Sequence, residues 1–464
     1  MSDLNGKKLL ILGGSYVDRK LIHAAKRLGV VTYITDITSI ARSPAKLIAD
    51  HSYTINSSDV DSILCLCRCE KIDGVLSLYH DFSQTSYRII CEKLGLPHFG
   101  NEEQHRILTN KKFFKRFCDE SGLGTIPYYN SKDKNISYPV IVKPLDGRGS
   151  KGQTICNSPD ELNSAIDFAK SYSRYDDVII EKYLGNKNDL ELAYLVINGE
   201  PILQKFGDRF LGDEKNNLDK LCIASIYPSK HEKFYRETNN SNVMESLKNL
   251  KLENSPIFLQ GFMYEGKAMF YDPGIRLPGD DYDVGYKSVT GIDIAELFIY
   301  FALTGNIPNH FADEIKNARL NKWIAMILPC VRPGKIASIK GLDKIDNNES
   351  IVSWASFYRE GDEVGVFNDS RQRFAEFIIV TSTIDQLKNT VKWIFDTVKV
   401  LGEGGEDMMI EKFDVSNLNS YSDDMIRVAR GGGILVLYII SLFYALKSVF
   451  LYRLLRRFLL LSIK

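Results

Sequence analysis

Residues 138–152 read YPVIVKPLDGRGSKG and form the most informative segment of the chain. An apolar run ends at Lys143 and leads into a loop with glycine at three of six positions. Glycines let backbone N–H groups close around phosphate oxygens, and nearby polar side chains add further donors. The pattern predicts a strand followed by a phosphate-binding loop, although a hairpin with a chance glycine and lysine content would look the same. The candidate phosphate contacts in the loop are Gly147, Arg148, Gly149, Ser150 and Gly152.

A second apolar strand is predicted at 178–180, and it emerges into the sequence EKYL at 181–184. A carboxylate follows at Asp189. An extended strand can offer backbone groups to the edge of a purine, and a carboxylate can accept hydrogen bonds from two neighbouring hydroxyls. This arrangement suits the base and the sugar of a nucleotide.

Together these segments resemble the ATP-grasp superfamily, and within it the biotin carboxylase and carbamoyl-phosphate synthase-like proteins. In that family a Glu-x-x-Leu strand passes the adenine, and a carboxylate a few residues later takes the ribose hydroxyls. The positions that match are Glu181, Lys182, Leu184 and Asp189. The resemblance also pairs Lys111, at the start of a predicted helix, with a lysine that reaches the α-phosphate. Considered without the resemblance, Lys111 would be interpreted as a solvent-exposed residue at the start of a helix.

Two further segments, 258–262 and 269–279, resemble the family's metal-binding strands, and short strands are predicted there at 257–259 and 268–271. The family has a glutamate on the first strand and the pattern Glu-x-Asn-x-Arg on the second. Here Asp272 and Arg276 take the places of the second glutamate and the arginine, whereas Gln260 replaces the first glutamate and Gly274 the asparagine. Mg²⁺ prefers hard oxygen ligands. The resemblance therefore implies Mg²⁺ at Asp272 and Gln260, with Asp272 and Arg276 as catalytic residues.

Several nearby features admit two interpretations. Asp280, Asp281 and Asp283 could supply metal ligands, but a solvated acidic loop is the favoured interpretation. His80 follows a predicted strand and either lines an acceptor site or is structural. The segments 207–209 and 227–230 stand where such enzymes have substrate-facing loops.

The pattern of apolar runs predicts a mixed α/β and α+β chain. Short buried strands alternate with amphipathic helices up to about residue 100, which is typical of a doubly wound parallel sheet. Short strands with glycine-containing turns then dominate, which is typical of antiparallel sheets. The predicted units are a Rossmann-like pre-ATP-grasp domain at 1–105, a two-lobed ATP-grasp domain at 106–310, a biotin-carboxylase-like α+β domain at 311–420 and a basic apolar tail at 421–464.

Composition restricts the function classes. The 464 residues carry a net charge of zero, which disfavours a nucleic-acid partner. The eight cysteines do not form a zinc-finger pattern and are interpreted as reduced thiols of a cytoplasmic protein. The N-terminus has no apolar signal region.

The tail is apolar over 434–446 and basic beyond it. On a helix the basic and the bulky apolar side chains would fall on opposite sides, which favours peripheral contact of 431–464 with the cytoplasmic face of a membrane. A single membrane span is the close rival, and a buried C-terminal helix is the third interpretation.

The resemblance implies an ATP-dependent carboxylate–amine ligase. ATP with Mg²⁺ would activate a small carboxylate as an acyl phosphate, and an amine or another nucleophile would attack it, with release of ADP and phosphate. A homodimer is compatible with this class. The alternative is an ATP-binding regulatory or scaffold protein, which the departures at Gln260 and Gly274 motivate.

Overall fold

A parallel sheet opens the chain in the computed structural model, which describes residues 4–133, 135–147, 151–185, 189–367 and 369–427. The four strands lie in the order β3-β2-β1-β4 and all pair in parallel, as predicted for a doubly wound sheet. Their carboxyl ends share one edge, where His80 and Asp81 follow the last strand. The elements are β1 Lys8–Leu12, α1 Arg19–Arg27, β2 Val31–Thr35, β3 His51–Tyr53, α2 Val60–Glu70, β4 Gly74–Leu76 and α3 Gln84–Leu94.

Two helices then lead into a small antiparallel sheet with the strand order β5-β8-β6-β7. Alternate residues of its strands, such as Val140 and Val142, point into a separate apolar core beneath α6. The small sheet and α6 therefore form a lobe of their own. The elements are α4 Glu102–Thr109, α5 Lys111–Ser121, β5 Tyr128–Tyr129, β6 Val140–Pro144, β7 Thr154–Cys156, α6 Leu162–Lys170 and β8 Val178–Lys182.

Long strands and five helices make up the middle of the chain. Helix α10 is buried on nearly all sides, so its apolar residues show no clear helical stripe and sequence analysis did not detect it. The elements are β9 Asp189–Ile197, β10 Glu200–Leu211, β11 Cys222–Tyr227, α7 Glu232–Thr238, α8 Asn240–Lys248, β12 Ser255–Tyr264, β13 Lys267–Gly274, α9 Tyr282–Thr290, α10 Ile294–Thr304 and α11 Asn309–Asn317.

The last part of the described chain completes an eight-stranded antiparallel sheet. Its order is β13-β12-β9-β10-β11-β14-β19-β17, so it runs across the domain limit proposed at residue 310. The remaining elements are β14 Trp323–Ile327, β15 Cys330–Val331, β16 Gly334–Lys340, β17 Ile351–Ser356, β18 Glu363–Val364, β19 Ala375–Thr381, α12 Ile384–Thr397, β20 Lys399–Gly402, β21 Met409–Glu411 and α13 Asp424–Arg427.

The predicted membrane contact through 431–464 lies outside the described residues and stays a prediction. Within the described ranges, no helix combines the length and the apolar character that crossing a bilayer requires.

Candidate active site

A cavity of about 790 Å³ lies where the N-terminal sheet, the small lobe and the eight-stranded sheet meet. It brings together residues that are far apart in the sequence. Arg148, Gly149 and Ser150 lie outside the described residues, and Gly152 is buried beside the cavity with a positive φ. The sequence-predicted residues that line the cavity are Lys111, Lys143, Gly147, Glu181, Lys182, Leu184, Asp189, Gln260, Asp272 and Arg276.

Lys111 is buried at the start of α5, so its interpretation as a solvated helix-start residue is wrong. Asn110 caps the helix, and its side-chain oxygen accepts from the backbone N–H of Lys112 at 3.0 Å. The cap directs Lys111 toward the glycine loop, where its Nζ donates to the carbonyl oxygen of Gly147 at 3.0 Å. The same Nζ lies 2.7 Å from Asp272 Oδ1, so the lysine joins the loop to the predicted metal strand.

Lys143 is the penultimate residue of β6 and lines the cavity above a buried carboxylate. Its Nζ donates to Glu181 Oε2 at 2.6 Å and lies 4.4 Å from the centre of the Tyr271 ring. Glu181 Oε1 lies 2.6 Å from Nζ of a second lysine, Lys115, which sequence analysis missed. Burial acts to raise the pKa of Glu181, but the two ammonium groups outweigh it and lower the pKa to about 2.

Lys182 lines the cavity, but its ammonium group is bound by the segment that precedes β6. Its Nζ donates to Ser137 Oγ at 3.1 Å and to the carbonyl oxygens of Ser137 and Tyr138, each at 3.0 Å. The Lys182 backbone N–H donates to Pro127 at 2.8 Å. This lysine therefore fixes the end of β8, beside the position predicted for adenine.

Asp189 is 1% exposed and already paired. Arg209 donates to its Oδ2 at 2.7 Å, and the Tyr271 hydroxyl donates to its Oδ1 at 3.0 Å. Burial raises the pKa of Asp189 to about 6, although Arg209 acts in the opposite direction. A ribose contact at Asp189, as the resemblance implies, would require this ion pair to open.

Gln260 and Asp272 are direct neighbours across β12 and β13, and both line the cavity. The Asp272 side chain is 30% exposed, so its carboxylate is accessible. One carboxylate and one amide oxygen at adjacent positions suit a Mg²⁺ ion that takes its other ligands from phosphate and water. Among the described residues there is no cluster of three or more His, Cys, Asp or Glu side chains that could hold a metal without such help.

Arg276 connects the N-terminal sheet to the cleft. Its Nε donates to Asp81, which follows β4, and its guanidinium lies 4.9 Å from the centre of the Phe258 ring. Burial acts to lower the pKa of Arg276, but Asp81, together with Asp272 and Asp280, outweighs it and the pKa is raised. The side chain therefore stays charged at the edge of the cavity.

His80 lies beside Asp81 and also lines the cavity. Its Nε2 is 2.8 Å from Asp18 Oδ2, and the buried Asp18 carboxylate also accepts from the Ser15 backbone N–H at 2.8 Å. The imidazole is anchored by Asp18, which supports a structural role, and the place of His80 in an acceptor site stays a prediction.

The acidic segment after Arg276 is not a solvated loop, so that interpretation was wrong. Asp280 and Asp281 are buried, and Asp283 is mostly so. Lys205 Nζ lies 3.0 Å from Asp280 Oδ2, and Lys20 pairs with both other carboxylates. The segment thus ties α1 to the eight-stranded sheet through buried ion pairs.

The segment 207–209 is not a loop, contrary to the prediction, although its Arg209 lines the cavity, and residues 227–230 do not line it. Residues 207–209 lie within β10, and Asp208 Oδ1 accepts from Ser229 Oγ at 2.7 Å. The Asp208 carboxylate also accepts from the Tyr421 hydroxyl. These contacts hold the C-terminal part of the described chain against the eight-stranded sheet.

Comparisons with known proteins agree with this geometry. Residues 128–200, which include the glycine loop and the EKYL strand, match the family "carbamoyl-phosphate synthase L chain, ATP binding domain". Residues 326–401 match "L-amino acid ligase C-terminal domain 2".

One similar curated protein is the formate-dependent phosphoribosylglycinamide formyltransferase of Bacillus subtilis. It is 28% identical over 220 residues, which cover 44% of this chain and 56% of that enzyme. The chain thus spans little more than half of that relative's length.

Similar folds occur among solved structures. The L-amino acid ligase of Bacillus licheniformis has a TM-score of 0.73 at 16% identity, covering 86% of this chain and 99% of that one. The biotin carboxylase domain dimer of the Hydrogenobacter thermophilus 2-oxoglutarate carboxylase, solved with MgADP and bicarbonate, has a TM-score of 0.66 at 19% identity. The structural alignment covers 85% of this chain and 91% of the biotin carboxylase chain.

A small antiparallel lobe facing a larger sheet across a lysine-lined cleft is the architecture of the ATP-grasp class. The chain shares the fold of the ATP-grasp class, and its residues 128–200 and 326–401 match two family models related to that class.

Proposed function

We propose that this protein is an ATP-dependent ligase that activates a carboxylate for attack by an amine or another nucleophile. The observation that carries the proposal is the convergence of Lys111, Lys143, Asp272 and Arg276 on one cavity. Cationic and anionic groups that line one cleft suit phosphoryl transfer, in which catalysis is mainly positioning and electrostatics.

In the proposed reaction Lys143 and Lys111 contact the phosphate groups of ATP, and the glycine loop at 147–152 supplies further contacts. The backbone of 181–184 contacts the adenine, and Asp189 the ribose once its ion pair with Arg209 opens. Mg²⁺ held by Asp272 and Gln260 would supply charge neutralisation at the transferring end of ATP. Because Lys111 pairs with Asp272 at 2.7 Å, nucleotide binding must redistribute that ion pair.

The carboxylate substrate attacks the γ-phosphoryl group and becomes an acyl phosphate, and ADP leaves. Arg276 stabilises the negative charge that develops on the phosphoryl oxygens. The nucleophile then displaces phosphate from the acyl phosphate. His80 and Asp81 lie at the edge of the same cavity, which supports entry of the acceptor from the N-terminal sheet.

The relatives' names guide the choice of substrates. One relative is a formate-dependent formyltransferase and a structural neighbour is an L-amino acid ligase, so a carboxylate appears in both. We therefore propose formate and L-amino acids as the first carboxylates to test. The biotin carboxylase neighbour is a dimer in its crystal, which supports a test for a dimer here as well.

The test is ADP release from ATP and Mg²⁺ in the presence of these carboxylates, with L-amino acids and hydroxylamine as acceptors. Carboxylate-dependent ADP release supports the proposal. If the protein binds ADP but forms no ADP from ATP with any combination of carboxylate and acceptor, the result would instead support the regulatory or scaffold function. Gln260 in place of a carboxylate favours that function. Failure to bind ADP would contradict both functions.

A further inference from the structure

A fully buried lysine lies beneath the cleft. Lys115 is one helical turn after Lys111 on α5 and is 0% exposed. Its Nζ donates to the carbonyl oxygens of Phe270 at 3.0 Å and Ile126 at 3.3 Å. Burying an ammonium group is costly unless it is paired, so this lysine requires a physical explanation that its place on a helix does not supply.

Lys115 shares one carboxylate with the lysine that faces the cavity. Glu181 Oε1 lies 2.6 Å from Lys115 Nζ, and Glu181 Oε2 lies 2.6 Å from Lys143 Nζ. Glu181 is itself 0% exposed. The cluster of Lys115, Glu181 and Lys143 therefore contains two positive charges and one negative charge. Lys143 and Glu181 line the cavity, whereas Lys115 does not.

The direction of Lys143 is restricted as well. Its Nζ lies 4.4 Å from the centre of the Tyr271 ring, and the Tyr271 hydroxyl is held by Asp189 at 3.0 Å. The Tyr271 ring and the Glu181 carboxylate occupy two sides of the Lys143 ammonium group, which therefore faces the cleft.

We propose that Lys115 is a positioning residue, which neutralises Glu181 so that Lys143 presents a net positive charge to the phosphate groups of a bound nucleotide. This inference rests on the proposed ATP binding. Glu181 alone would orient Lys143 but would also cancel its charge. With Lys115 present, Glu181 orients Lys143 and the cluster keeps one positive charge for the ligand.

A purely structural role is the competing explanation, because Lys115 also ties α5 to β13 through Phe270. The two explanations predict different nucleotide affinities when the net positive charge of the cluster is restored without Lys115. Lys115→Met leaves the cluster with no net charge. Adding Glu181→Gln returns one net positive charge, on Lys143, although the contacts of Lys115 remain lost.

The experiment measures ADP binding to the full chain by calorimetry, with circular dichroism and thermal melting to verify folding. The variants are Lys115→Met and Lys115→Met with Glu181→Gln. The matched control is Lys112→Met on the same helix, whose side chain is 39% exposed and pairs with Asp177. We expect Lys115→Met to weaken ADP binding roughly tenfold. We expect the double variant to bind within about threefold of wild type and the control within about twofold.

Weak binding by Lys115→Met with recovery in the double variant supports the inference. Unchanged binding by Lys115→Met, or equally weak binding by both variants, would overturn it and leave the proposed function standing. If Lys115→Met fails to fold, the double variant decides alone, since a tenfold loss there contradicts the inference and near-normal binding supports it. A wild-type chain that does not bind ADP would instead refute the proposed function, and this inference with it.

Discussion

Individual charged residues determine how the cleft can hold phosphate. Lys111 and Lys143 are each only 5% exposed, yet both line the cavity. Each is paired with a carboxylate, Asp272 and Glu181 respectively. Ammonium groups in a partly dry cleft interact with phosphate more strongly than solvated ones do. The affinity for a nucleotide should therefore depend on these few side chains.

Lys143→Ala should weaken ATP binding roughly 10- to 100-fold, because it removes a charge-assisted contact to phosphate. The fold should survive, since Lys143 stands at a strand end. Lys170→Ala, on the exposed side of α6 in the same lobe, should leave binding unchanged. Calorimetric titration of both variants measures this, and near-wild-type binding by Lys143→Ala would refute the phosphate role.

Asp272→Asn should reduce Mg²⁺-dependent ADP formation by at least roughly 100-fold while retaining part of the nucleotide affinity. Asp272 is the one carboxylate at the two predicted metal positions. A coupled assay for ADP, with binding measured separately, gives the two quantities. The exposed Asp167→Asn on α6 serves as the control. Persistent activity would mean that the metal is held elsewhere.

Glu181 should make stability depend on pH in acid. The pKa of its carboxyl is lowered from 4.5 to about 2, so its contribution is complete above pH 4.5 and disappears as the pH falls toward 2. The stability difference between wild type and Glu181→Gln should shrink by about 3 kcal/mol across that range. Urea unfolding at several pH values measures it, and a constant difference would contradict the assignment.

Sequence patterns identified some of the charged residues of the cleft and missed others. Lys111, Lys143 and Asp272 were found because they belong to motifs with known spacing. Lys115 was missed because lysine is rarely buried, and the one signal was its place beside Phe114 on the apolar stripe of α5.

At the scale of elements, close packing fixes how the N-terminal sheet meets the rest of the molecule. Helix α10 lies against β4 so closely that a Cβ built on Gly74 would be 2.5 Å from the carbonyl oxygen of Ala302. Since His80 and Asp81 follow β4, this contact also positions one side of the cleft.

Gly74→Ala should destabilise the fold by roughly 1–3 kcal/mol, because the helix backbone must move away. Gly404→Ala is the matched control. It is exposed, and an added Cβ there would meet the end of the flexible Glu406 side chain. Its effect should stay within about 0.5 kcal/mol. Thermal and urea unfolding of the two variants tests this, and equal stabilities would contradict the packing argument.

Most strands and amphipathic helices could be predicted, because their periodicity is local. The strands at β1, β6 and β8 follow short apolar runs, and α3 and α5 end at glycines with left-handed conformations, as the sequence indicated. Helix α10 was missed because it is apolar all round. The segment Asp280–Asp283 was misinterpreted because its partners Lys205 and Lys20 lie 75 or more residues away in the sequence, beyond the reach of any local pattern.

At the scale of the whole molecule, the cleft depends on three parts of the chain at once. The small lobe contributes Lys143, strand β13 and the segment after it contribute Asp272 and Arg276, and the segment after β4 contributes Asp81. The resemblance correctly predicted the fold class, whereas the roles of the site residues stay predictions. The domain limits at 105, 310 and 420 stay proposals, and the eight-stranded sheet extends across the second of them.

The central claim is that the carboxylate substrate becomes an acyl phosphate. Its most direct test uses a carboxylate that supports ADP release, labelled with heavy oxygen in the carboxyl group, and mass spectrometry of the inorganic phosphate released. Transfer of the γ-phosphoryl group to the carboxylate, followed by attack at the acyl carbon, leaves one carboxyl oxygen on the phosphate. An acyl phosphate predicts labelled phosphate in proportion to ADP formed, whereas unlabelled phosphate at equal turnover would rule that intermediate out.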